Sequence, residues 1–158
     1  MSGPASKCRE LASRARYAAL GTVARDRGGW PFVTLVAVAF DASARPLMCL
    51  SRLAEHTKNL LACPRASLLV SEADASPTPL AAGRMTLVGE CTPMADDEAQ
   101  RVRAVFLAVH PDASAYASFA DFAWWRMEVA HARWVGGFGR MDWVDGGAYA
   151  SARPDETA

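Results

Sequence analysis

"LSRLAEHTKNLLACPRASLLV", residues 50–70, reads as the end of a strand, a short helix and the start of a second strand. The helix is expected over residues 53–62, and Pro64 cannot continue it. Residues 66–72, "ASLLVSE", carry the chain on as a strand. The helix start is unusually polar, with Ser51, Arg52, His56, Thr57 and Lys58 close together. A helix N-terminus has unpaired amides and the positive end of the dipole. Hydroxyls and bases gathered there make a cradle for an anion such as a phosphate. An ordinary solvated helix with common caps is the competing reading.

Working outward, residues 5–17 suit a helix capped by Ser6, and residues 18–25 suit a strand. "DRGG", residues 26–29, supplies a turn with two glycines free to take positive φ. "PFVTLVAVAF", residues 31–40, is apolar on both faces, so both should be covered. A barrel interior on one side and a second subunit on the other would do this. Residues 41–46 close a hairpin into a strand at 47–51, and residues 73–83 form a Pro- and Ala-rich loop. Residues 84–94 follow as a strand with a bulge expected at Gly89.

Asp96, Asp97 and Glu98 open a helix at its favourable end, and Pro111 stops it. Val102, Val105, Phe106 and Val109 share one of its faces. The last strand, residues 124–135, alternates from Trp125. Trp125, Met127 and Val129 point one way, Arg126 and Glu128 the other, and the same alternation carries His131 inward with Met127. "GGFGR", residues 136–140, is a tight loop, and a disordered tail is expected from residue 150. Strands dominate and hairpins join most neighbours, which predicts a single mainly-β domain, a small antiparallel barrel with a few flanking helices.

Composition narrows the function classes. Lys plus Arg and Asp plus Glu are equal at 17 each, so no basic excess offers a nucleic-acid surface. The amino-terminal residues lack the apolar core of a signal peptide, and no apolar run is long enough to cross a bilayer as a helix. A cytoplasmic location without membrane contact is expected. Cys8, Cys49, Cys63 and Cys91 are scattered, with no histidine at metal-ligand spacing, so no metal site is expected. His110 precedes Pro111 at a helix end, where it can cap carbonyls. Trp124, Trp125, Trp134 and Trp143 are expected in the core and at a subunit contact.

The stretch at residues 50–70, the preceding "PFVTLVAVAFDASARPLMC", the following "GRMTLVGECTPM" and the later "VGGFGR…W" resemble the pyridoxamine 5'-phosphate oxidase-like split-barrel flavoproteins. The nearest branch is similar to the haem-utilisation proteins, and the likeness runs over residues 15–143. It implies a six-stranded antiparallel split β-barrel, a homodimer, and flavin mononucleotide (FMN) in clefts between the subunits. Carried over by the resemblance, Thr34, Leu35 and Val36 line the isoalloxazine, Leu50 and Ser51 lie near the ribityl chain, and His56, Thr57 and Lys58 hold the phosphate. Arg84 reaches the flavin of the second subunit, and Arg140 and Trp143 lie beside it. The implied function is an FMN-dependent oxidoreductase of unknown substrate. The alternatives are a haem-binding or haem-degrading protein and a cofactor-free interaction module. The vitamin-producing oxidases' terminal Arg and His segment has no match here, and no histidine follows His131. On that ground haem breakdown is not expected, and haem uptake is expected to be weak.

Overall fold

One residue shows how far the sheet curls. The structure, a computed structural model describing residues 3–72 and 76–155, holds eight strands in the order β2-β1-β5-β6-β7-β4-β3, with β8 also on β7. β2 (Pro31–Ala37) and β3 (Ala39–Phe40) lie at opposite ends of that order, yet only Val38 separates them in the chain. A sheet whose two edges are joined by a single residue has to roll into a barrel. Val38 is fully buried, and its amide donates to Arg16 O at 2.9 Å. The apolar run at residues 31–40 is therefore two strands, because the chain passes there from one sheet edge to the other.

The remaining strands are antiparallel neighbours. β1 (Tyr17–Val23) forms a hairpin with β2, turned by Gly28 and Gly29 at φ 66° and 75°. β4 (Pro46–Ser51) pairs with the first part of β7 (Phe122–Val135), and β8 (Met141–Asp145) pairs with its last part on the same edge. β5 (Arg65–Ser71) and β6 (Arg84–Pro93) complete the wall. Inside it pack Leu20, Val36, Met48, Leu50, Leu68, Met85, Leu87, Trp125, Met127 and Trp134.

The β6–β7 pairing carries a bulge that reverses the faces. Val88 pairs with His131 but Gly89 pairs with Val129, so Ala130 is the extra residue. Side chains alternate strictly along a strand, and one inserted residue flips the sense of everything beyond it. Trp125 and Met127 point inward before the bulge, and Ala132 and Trp134 do so after it. His131 therefore lies on the exposed outer face, which corrects the inward position that simple alternation implies. Gly89 is needed where the strands close up, because a Cβ there would stand 2.0 Å from Glu128 O.

Among the described residues four α-helices flank the barrel. α1 (Pro4–Arg14) starts with Pro4 in its first turn and Gly3 as N-cap, three residues before the expected Ser6, and inserts Cys8, Leu11 and Ala12 into the core. α2 (Glu55–Ala62) matches the opening stretch, and α3 (Asp96–Val109) buries Val102 and Phe106. At the start of the tail expected from residue 150, β8 leads into α4 (Gly146–Ser151), capped by the Asp145 carboxylate, and residues 156–158 lie outside the described residues. Tyr149 is buried there and donates its hydroxyl to Ala44 O at 2.7 Å. Arg9 joins the same junction, donating to Ala150 O at 2.8 Å and Ala42 O at 2.7 Å. The count of eight strands against the expected six comes from β8 and from the break at Val38. Part of the loop expected at residues 73–83 lies outside the described residues, and the rest contains a turn at Pro79–Ala81.

Candidate functional site: helix α2 and the outer face of the sheet

The polar residues at the start of α2 are spent largely on holding the helix to the barrel. Asn59, fully buried, donates from Nδ2 to Thr22 Oγ1 at 3.0 Å and accepts from the Arg25 amide at 3.1 Å. His56 Nδ1 and Thr34 Oγ1 are 3.1 Å apart, and burial holds this imidazole below its ordinary pKa. Thr57 is fully buried and its hydroxyl has no partner among the described residues. Ser51 donates to Asp121 Oδ2 at 2.6 Å and accepts from the Leu53 amide at 3.1 Å. Arg52 donates to Ala120 O at 3.0 Å, and Lys58 is half-buried. Ser51, Arg52 and His56 of the expected cradle thus have partners within the chain. Sequence reasoning missed Asn59 and Asp121; the Asn in the "HTKN" run is a buried linker, and only the strand pairing shows this.

The residues singled out from sequence fall into separate places. Thr34 and Val36 turn toward the interior or toward α2, and Leu50 is core. Arg140 belongs to the loop after β7, with its guanidinium carbon 5.6 Å from the Trp134 ring centre. Leu35, Arg84 and Trp143 share the outer face of the sheet with other exposed groups.

The register lays that face out in two rows across six strands. One row runs Leu35, Ala19, Leu69, Thr86, Arg133, Trp143; the other runs Val33, Gly21, Ser67, Val88, His131, Asp145. The β2, β1 and β5 end is apolar, with Val33, Leu35 and Leu69 at 65%, 75% and 42% exposure. The β6 to β8 end differs in chemistry. The His131 and Trp143 rings meet edge to face with centres 6.4 Å apart. Arg133 lies over the same indole at 5.6 Å. Arg84, diagonal to Arg133, donates to Leu80 O at 2.9 Å. An imidazole, an indole and two guanidiniums therefore stand beside a broad apolar surface.

This architecture has clear relatives. The family described as "CREG, beta-barrel" matches residues 2–151, and the chain belongs to it. A heme binding protein of known structure from Mycobacterium smegmatis is 35% identical, with a TM-score of 0.92, and the match covers 98% of this chain and 63% of that one. The chloroplastic non-canonical heme oxygenase HOZ of Arabidopsis thaliana is 34% identical over 134 residues, 85% of this chain and 40% of that protein. The chain thus spans less than two thirds of the length of either relative. A Clostridium acetobutylicum protein of the pyridoxinephosphate oxidase family, at 10% identity and a TM-score of 0.69, shares the split-barrel fold.

These relatives overturn the expectation of FMN. The two that share a third of their residues with this chain are described by heme, and neither description mentions a flavin. The flavin reading rested on the broader split-barrel likeness, which at this level of identity concerns the fold alone.

Proposed function

We propose that this protein binds haem, as a homodimer, on the outer face of its sheet. The observation that carries the reading is that face itself. A large amphipathic macrocycle needs apolar contact area and cations for its two carboxylates. The outer face supplies both: Val88 and Trp143 for the ring, Arg84 and Arg133 for the carboxylates. The heme binding protein similar over nearly the whole chain supports the same ligand. When bound, haem supplies redox-active iron, and the residues of this face would hold and orient it.

The apolar half of the face calls for a second copy. Val33, Leu35, Leu69 and Tyr17 stand exposed together, a patch that a monomer rarely leaves in water. Pairing through β1, β2 and β5 covers it and leaves the His131 and Trp143 end at the margin between subunits. Four free cysteines fit a reducing compartment and the cytoplasmic location expected from sequence.

A haemin titration followed by absorbance, run beside sedimentation velocity at micromolar protein, tests the reading. The expected result is saturable haemin uptake by a dimer, with Leu35→Asp giving a monomer. A monodisperse wild-type monomer refutes the dimer. Uptake that never saturates refutes haem as the ligand.

A further inference from the structure

We infer that His131 is the axial ligand of the haem iron, presented to the outer face by the β-bulge at Ala130. The inference rests on the haem reading above and assigns the donor within that site. Protein donors to haem iron are imidazole, thiolate, thioether or phenolate. The chain has three histidines. His110 is buried, its Nε2 lies 3.0 Å from Val38 O, and Phe106 and Tyr17 flank its ring. His56 is turned to Thr34 between α2 and β2. His131 alone is exposed, on β7, with no hydrogen-bond partner among the described residues and an indole edge to face with it at 6.4 Å.

The other donor classes are poorly placed. Cys8 and Cys91 are sealed in the core with thiols pushed up to about 12 by burial, Cys49 is pushed up to about 11, and Cys63 caps the end of α2, outside both rows of the outer face. Tyr149 is buried with its hydroxyl on Ala44 O. Tyr17 shares the outer face but sets its ring edge against His110. Met141 is half exposed at the β8 edge, and a thioether there would complement an imidazole rather than replace it.

The bulge links this chemistry to the fold. Without Ala130 as the extra residue, alternation from Met127 would turn the imidazole into the core. With it, His131 and Arg133 project from the same face, one suited to the iron and the other to a carboxylate of the ring.

The test compares haemin with iron-free protoporphyrin IX on wild type and His131→Ala. Wild type should take up haemin with a sharp Soret band. His131→Ala should bind haemin at least tenfold more weakly with a shifted, broadened band, while protoporphyrin binding changes less than threefold. Imidazole added to the buffer should restore the wild-type band in the variant. Protoporphyrin binding also reports that the variant is folded. An unchanged haemin spectrum in His131→Ala overturns the ligand assignment and leaves haem binding intact. Failure of wild type to bind either porphyrin overturns both.

Discussion

Replacing Gly89 with alanine probes the bulge on which the register of the outer face depends. The added Cβ would lie 2.0 Å from Glu128 O, 2.9 Å from Glu128 C and 3.2 Å from Val129 Cα. These are backbone atoms and cannot rotate away. An ordinary carbon–oxygen contact is over 3 Å, so the strands must part locally by about 1 Å. Overpacking of this kind costs about 1–3 kcal/mol. Opening the ladder on either side forfeits one or two hydrogen bonds at about 1 kcal/mol each. Together the loss is about 2–5 kcal/mol, which lowers Tm by roughly 10 °C in a domain of this size. Guanidinium denaturation followed by circular dichroism gives the free-energy change directly. Gly139→Ala is the comparison: nothing lies within 4 Å of its Cβ, but φ is 75°, so it should cost only about 1 kcal/mol. A Gly89→Ala protein within about 1 kcal/mol of wild type would refute the close approach and the bulge with it.

Three further outcomes follow from the burial pattern. Tyr149→Phe should cost about 1–2 kcal/mol in denaturant, because the Ala44 carbonyl loses a buried donor, and a neutral change would mean that the α4 junction does not bear on stability. At pH 8 a thiol reagent should modify Cys63 first and leave Cys8 and Cys91 until denaturant is added, since thiols pushed to about 12 are ionised at only about one part in ten thousand; fast reaction of three or four thiols would contradict this. His56 has its folded pKa below the ordinary 6.5, so the unfolded chain takes up the proton first and stability falls as pH drops below about 6.5. His56→Gln should show a smaller loss of denaturation midpoint between pH 7.5 and pH 5 than wild type, and equal losses would remove His56 as a contributor.

The strands were legible in the sequence wherever apolar patterning and turn residues coincided, as in the Gly28–Gly29 hairpin and the strand that follows Pro64. Gly89 was also readable as a bulge, because a glycine inside a strand marks close backbone approach. Its consequence was not readable. Which strand carries the extra residue depends on the partner, and β6 alone does not say that Ala130 of β7 is left unpaired. The break at Val38 was hidden for a similar reason, since an apolar run looks the same on one sheet edge as on two. β8 and α4 were missed because "MDWVD" is only five residues long, and its strand character comes from pairing with β7.

The polar run in α2 teaches the opposite lesson about chemistry. Ser, His, Thr, Lys and Asn at a helix start satisfy two demands that look identical in sequence: binding an anion, or pinning a short helix to a sheet. An eight-residue helix is too short to be stable alone and needs tertiary anchors. Asn59 on Thr22 and Arg25, and His56 on Thr34, provide them from two strands. Those same bonds fix the β1–β2 hairpin, which carries Val33 and Leu35 on its other side. The motif that suggested a ligand site thus also serves as a foundation for the outer face. The residues of the proposed haem face carry weaker sequence signals: His131, Arg133 and Trp143 come together only when the bulge sets the register of β7 against β6 and β8.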